Sequence, residues 1–365
     1  MNLWSLPLAF NTLIQRLEHK VSTSPSPSAS TAPTLGKDTL TRQAPAAQPA
    51  AQIALNSVHG QYIKDPSFAN SGNPIGDSRY IVFGNLTHFF LKGFDVAKAT
   101  DGKPGLAFKS GEIPINVQGL PASENGLWAP QVVVNGDKVQ LFYTAGTMGP
   151  NGIDWPSFRL HMAEMPLSQF EAEAKSGKGV NFQDKGTLFD DQTTFGGTDR
   201  NFAMIDPCYY VNPQGQAYMM YTVVQPAAPG RPWQEFVRAR QVNPANPMQA
   251  IGPDTPVIDG WSNSEHQGVA EAPDLVTLNG KPTLFVSSRA GDTNQRVLAA
   301  PISSQPGRVP DSALKPVLEP GGTPWSSNAV GSTSAMEANG QVFLLYQGMD
   351  ANHQFSLGFK RIDAP

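Results

Sequence analysis

The sequence predicts an all-β protein, a five-bladed β-propeller behind a flexible N-terminal leader, and three observations support that reading. The first is a hairpin unit, Val269 to Ser288 (VAEAPDLVTLNGKPTLFVSS), in which Asn-Gly joins two apolar runs. A type I′ turn needs positive φ at both central residues, and Asn-Gly supplies this at little steric cost. The second is recurrence: the same grammar returns at Trp128 to Ala145 (WAPQVVVNGDKVQLFYTA), Ile205 to Thr222 (IDPCYYVNPQGQAYMMYT) and Ser332 to Gln347 (STSAMEANGQVFLLYQ). A degenerate first copy runs from Lys64 to Asn85 (KDPSFANSGNPIGDSRYIVFGN). The third is a further strand-like run after each hairpin, at His88 to Val96, Phe158 to Met165, Phe236 to Val242, Arg296 to Ile302 and Phe355 to Ile362. Hairpin plus third strand, with room for a fourth, describes a propeller blade, and the copies start roughly 60 to 75 residues apart.

Composition agrees. The 34 Gly and 33 Pro suit a turn-rich all-β chain, because both residues punctuate strands and are depleted inside them. Net charge is −4 and the 26 Lys and Arg are scattered, so no basic footprint points to nucleic acid. The single cysteine, Cys208, excludes an intrachain disulfide and a Cys-based zinc site, and reads as a small apolar residue inside a strand. A monomer is expected.

In chain order, residues 1–20 (MNLWSLPLAFNTLIQRLEHK) carry apolar side chains from Leu3 to Leu17 and no charge before Arg16. The run lacks the basic start of a secretory signal and is too short and polar to span a membrane, so a short amphipathic helix is expected. Ser22 to Thr34 (STSPSPSASTAPT) and Ala44 to Ala51 (APAAQPAA) cannot bury enough apolar surface to offset their ordering entropy. Residues 1–52 therefore form the leader and 53–365 the propeller. An unfolded Ser/Pro-rich N-terminus of this kind resembles bacterial type III secretion leaders, and export is the expected localisation. A charged, helix-like segment, Leu167 to Lys178 (LSQFEAEAKSGK), reads as part of an insertion between blades two and three.

Three carboxylates stand before the hairpins of three repeats: Asp65 in KDPSF, Asp206 in IDPCY and Glu271 in AEAPDL. The innermost strands of a propeller converge on its axis, so the three acids are expected to face one funnel from equivalent points. Like charges gathered in a partly desolvated pocket push proton affinities apart, leaving one acid protonated while others ionise. Glycoside hydrolysis needs that division, with one acid to protonate the leaving oxygen and one base to activate water.

The series DP, WAP, IDP and EAP, each leading into a hairpin and an aromatic-rich strand, resembles glycoside hydrolase family 43 and its five-bladed relatives over about 300 residues, from Gln61 to Ile362. The resemblance implies a glycosidase of the arabinofuranosidase, xylosidase or arabinanase type that inverts configuration, with a carbohydrate substrate. It implies Asp65 as general base, Glu271 as general acid, and Asp206 as the third acid that keeps the general acid protonated and in position. Trp128 would lie near the pocket, where an aromatic face can pack on a sugar. Arg289 in SSRAG could reach a substrate hydroxyl or carboxylate, and His88, His266 and Trp261 lie in segments that could edge the pocket.

One departure concerns blade five, where the family carries a His in a Gly-His-Gly-Ser-like run that helps organise a central metal or water site. This chain reads NAVGST there, with Val330 or a neighbour in the place of the His, so no cofactor is expected to be required and a structural calcium is in doubt. The related β-fructosidases place Arg before the middle Asp, where this chain has Ile205. A non-catalytic propeller that binds glycans or a protein is the reading from another class.

Overall fold

The computed structural model describes residues 51–53, 64–95, 98, 111–150, 152–189, 202–225, 234–258, 270–290, 294–338 and 340–362. The helix expected within residues 1–20 lies outside the described residues, as does the leader expected over residues 1–52 except for its last two residues, Ala51 and Gln52, which belong to a strand. The first strand, β1 (Ala51–Ile53), pairs with a strand at the far end of the chain.

With it the described residues form five four-stranded units, and the chain is a β-propeller. Blade one comprises β2 (Lys64–Phe68), β3 (Arg79–Gly84), β4 (Phe89–Phe94) and β5 (Ile113–Gln118). After β6 (Gly126–Asn135) and β7 (Lys138–Gly146) come a two-residue pair, β8 (Met148–Gly149) and β9 (Gly152–Ile153), then β10 (Arg159–Pro166), helix α1 (Leu167–Ser176) and β11 (Val180–Thr187). Blade two is β6, β7, β10 and β11, and its outer strand pairs in parallel with β5, fusing two blades into one eight-stranded sheet. Blade three is β12 (Ala203–Val211), β13 (Ala217–Gln225), β14 (Gln234–Asn243) and β15 (Asn246–Ile258). Blade four is β16 (Ala270–Leu278), β17 (Lys281–Ala290), β18 (Asn294–Pro301) and β19 (Lys315–Leu318). Blade five is β20 (Ala329–Ala338), β21 (Gln341–Met349) and β22 (Phe355–Ile362), completed on its outer edge by β1, with Ala51 opposite Phe359.

The apolar runs look continuous in sequence because the inner strands of each blade are buried on both faces. Successive side chains point to opposite faces, so Phe343 and Leu345 of β21 pack against blade one while Val342, Leu344 and Tyr346 pack against blade four. Each pair of adjacent blades encloses its own apolar cluster, and the one holding Phe68, Phe83, Phe94, Phe343 and Phe359 joins the last blade to the first. The ring is closed by packing as well as by β1.

Turn chemistry behaves as expected at Asn279 and Gly280, whose φ values of 49° and 75° link Leu278 to Lys281. The helix also forms where expected, but in a different setting. It joins the third and fourth strands of blade two and so belongs to that blade, and does not stand between blades two and three. Gly177 ends it with φ 70° and an N–H bond to the Ala174 carbonyl, while Phe170 and Ala174 bury one face in the core of blades one and two.

Close packing around blade five gives a direct test. A Cβ added to Gly358 would lie 2.4 Å from Tyr346 Cζ and 2.6 Å from Trp325 Cη2, and those two rings stack with centroids 5.8 Å apart. Gly358→Ala is therefore expected to destabilise the fold by about 1–3 kcal/mol, since forcing volume into a filled core displaces side chains from their rotamers. Urea denaturation measures it, and an unchanged midpoint would contradict this packing.

Candidate active site

Each innermost strand begins with the same irregularity. Asp65, Ala129, Asp206, Ala272 and Ser332 have positive φ, between 44° and 54°, and at each the pairing register with the next strand slips. These are bulges, in which an extra residue leaves the ladder and the side chain is re-aimed. In four of the five the following residue is Pro (Pro66, Pro130, Pro207, Pro273), which has no N–H to leave unpaired there. A non-Gly residue held at positive φ is strained by about 1–3 kcal/mol and persists only where its surroundings over-determine it. Five such residues stand at one end of the propeller.

The surroundings are a set of bonds between blades. The bulge N–H of one blade donates to a side chain on the second strand of the blade before it: Asp206 N to Thr144 Oγ1 (3.1 Å), Ala272 N to Thr222 Oγ1 (2.9 Å), Ser332 N to Ser287 Oγ (2.7 Å) and Asp65 N to Gln347 Oε1 (3.3 Å). Thr144, Thr222 and Ser287 are fully buried, so these bonds act in a low-dielectric setting. Three residues further on, a second series follows: Tyr209 N to Gln131 Oε1 (2.6 Å), Leu275 N to Cys208 Sγ (3.3 Å), Ala335 N to Asp274 Oδ2 (2.7 Å) and Phe68 N to Ser334 Oγ (3.1 Å). Polar residues inside otherwise apolar strands thus register the blades against one another at four of the five junctions.

Asp65 and Asp206 share the bulge position and are buried at 7% exposure each. Glu271 does not share it, which corrects the expectation of three equivalent points. Glu271 pairs with Ser287 as Ile205 pairs with Thr222 and Lys64 with Gly84, so it stands one residue earlier, and Ala272 holds the bulge of blade four. The acids are nonetheless tied to one another's blades. Asp206 Oδ2 accepts from Ala272 N (3.2 Å), one peptide from Glu271, and Asp65 Oδ1 accepts from Ser332 Oγ (2.6 Å) across the closure of the ring. Glu271 Oε1 accepts from the Gln295 side-chain amide of β18.

The other expected site residues fall as follows. Trp128 is 2% exposed, its ring stacked on Phe158 at 4.4 Å and edge-on to Trp155 at 5.5 Å. It is a core residue and offers no free face to a sugar, because Phe158 fills the space over Gly126 and Gly146 and holds the indole between blades. His88 is exposed in the turn between β3 and β4, with Nδ1 2.8 Å from Thr87 Oγ1. Strands alternate in direction, so this turn shares the end of the blade where Asp65 stands, and Leu127 N bonds Leu86 O beside it (2.7 Å). Arg289 pairs through its backbone with Gln295 near the end of β17. Trp261 and His266 lie outside the described residues.

Val330, which stands at or beside the place of the family's His, is 1% exposed in the apolar cluster between blades four and five and offers no ligand there. Asp274 Oδ1 faces the Cys208 thiol at 4.0 Å while Oδ2 takes the Ala335 amide. Among the described residues no group of three His, Cys, Asp or Glu is arranged to hold a metal. Burial pushes the Cys208 thiol up, and it pushes Asp274 up to about 7 against the opposing pull of the Ala335 amide.

Gln295, Ser332 and Asp274 were not anticipated. Aligning blade five on blade four at their Asn-Gly turns puts Ser332 level with Ala272, the residue before Pro273, and so at the Asp65 position. Gln295 belongs to no repeated motif and carries no such signal.

No protein-family model matches the chain, and no curated protein matches it in sequence. Solved structures match it in fold. A thermostable family-43 glycoside hydrolase aligns over 83% of this chain and 93% of its own, with TM-score 0.57 and 14% identity. An endo-arabinanase of family 43 from Bacillus licheniformis aligns over 82% and 94%, with TM-score 0.54 and 19% identity. A family-43 enzyme from Xanthomonas citri, complexed with xylotriose, aligns over 87% and 90%, with TM-score 0.52 and 15% identity. At these identities the likeness establishes a shared fold. Among the described residues no helix is long and apolar enough to cross a membrane.

Proposed function

We propose that the protein is a glycosidase that hydrolyses arabinose- or xylose-containing glycans with inversion at the anomeric carbon. The observation that carries this is the placement of three carboxyl side chains, from blades one, three and four, at the strained entrances of inner strands that surround one axis. Glu271 gives its proton to the glycosidic oxygen as the bond to the anomeric carbon breaks. Asp65 takes a proton from a water on the opposite face of the sugar, whose oxygen forms the new bond. Ser332 Oγ donates to Asp65 Oδ1 and so fixes which way that carboxyl turns. Asp206 accepts from Ala272 N and holds the peptide that carries Glu271.

The fructosidase reading is disfavoured by Ile205, which is 4% exposed and packed with Trp128, Phe158 and Val224, where an Arg head would have no partner. The test is release of reducing sugar from arabinan, xylan and nitrophenyl α-L-arabinofuranoside or β-D-xyloside. Turnover of at least one of them supports the proposal. Glycan binding without turnover, unaltered by Glu271→Gln, would favour a binding propeller instead.

A further inference from the structure

Resting on that reading, the geometry points to Gln295 as a positioning residue that decides which oxygen of Glu271 carries the transferable proton. A protonated carboxyl has one oxygen that donates and one that only accepts. The Gln295 Nε2 amide donates to Glu271 Oε1, so Oε1 is held in the accepting role and the proton resides on Oε2. The Oε2 hydroxyl is then the group presented to the leaving oxygen.

The seat of Gln295 is built into the next blade. Gly331 stands in blade five at the position that Glu271 occupies in blade four, and a Cβ there would lie 2.8 Å from Gln295 Oε1 and 2.9 Å from its Cδ. The same Cβ would meet Ser287 Oγ at 3.1 Å, the atom that accepts the Ser332 amide. A bare glycine at Gly331 therefore leaves room for the Gln295 side chain to lie between Glu271 and blade five. Gln295 is the second residue of β18, opposite Arg289, so its backbone is anchored in the blade-four sheet while its amide reaches Glu271 on the first strand.

The role is distinguishable from simple support of the fold, because protonation of the leaving group matters in proportion to how poor that group is. A dinitrophenolate departs without a proton, whereas a sugar alkoxide needs one. Gln295→Met keeps length and removes the donor. It is expected to lower kcat on an arabino- or xylo-oligosaccharide by about 10-fold or more, with KM little changed, and to leave kcat on the matching dinitrophenyl glycoside within about 3-fold. Gly331→Ala, which crowds Gln295 without altering it, should show the same selective loss. Thermal midpoints close to that of the unsubstituted protein show that both variants are folded. Equal losses on the two substrates, or no loss on either, would overturn the role of Gln295 while leaving the glycosidase reading intact. Absence of hydrolysis of both substrates by the unsubstituted protein would overturn both.

Discussion

Glu271→Gln is expected to reduce hydrolysis of arabino- or xylo-oligosaccharides by about 10²- to 10⁴-fold, the range that a positioned general acid contributes. Gln has nearly the same shape, and its amide oxygen can still accept from Gln295, so what is lost is the O–H that protonates the leaving oxygen. The side chain is only half-buried, and its substitution leaves the two series of bonds between blades untouched. Stability should therefore stay close to that of the unsubstituted protein. A variant that retained full activity on unactivated oligosaccharides would remove Glu271 from the mechanism.

The second large effect concerns stability. Asp274 lies beneath the acids and is pushed up to about 7, chiefly by desolvation. An aspartate of the unfolded chain releases its proton near pH ~3.9. Between those two values the folded protein holds a proton that the unfolded chain gives up, so stability is fully present below about pH 3.9, falls as pH rises towards 7, and levels off above it. At about 1.4 kcal/mol per pH unit the loss approaches about 4 kcal/mol. Asp274→Asn keeps an oxygen for the Ala335 amide and cannot ionise, so it is expected to be more stable than the unsubstituted protein by about that amount at pH 8 and nearly equal to it at pH 4. Urea denaturation of both proteins across that range measures the difference, and parallel curves would contradict the buried-acid account.

The sequence reveals those parts of the fold that side chains specify. Hairpins are legible because Asn-Gly and Pro mark the turns and because strands buried on both faces read as apolar runs, as in Leu284 to Val286 and Phe343 to Leu345. The outer strands are not: β15 alternates between exposed and half-buried residues over most of its length, so hydrophobicity barely marks it. β1 is hidden for a different reason, since Ala51–Ile53 completes blade five through backbone bonds, which carry no side-chain signature.

The site divides along similar lines. The three acids were visible as motifs, but their register was not, because aligning carboxylates conceals that Pro66, Pro207 and Pro273 hold equal places and that Glu271 therefore stands one residue apart from Asp65 and Asp206. The offset separates a paired residue from two bulged ones and gives the proposed acid a different aim from the proposed base. Trp128 was visible as an aromatic beside the pocket, yet which way its ring faces depends on Phe158, thirty residues further on and just before β10. Gln295 reaches Glu271 only through the fold.

The account stands on three acids from three blades acting together on one glycosidic bond. Proton NMR of the sugar released in the first turnovers of an arabino- or xylo-oligosaccharide tests this most directly, because the anomer formed records the face from which water attacks. The inverted anomer should accumulate first and then mutarotate towards equilibrium. Initial release of the retained anomer, or no release of sugar at all, would contradict it.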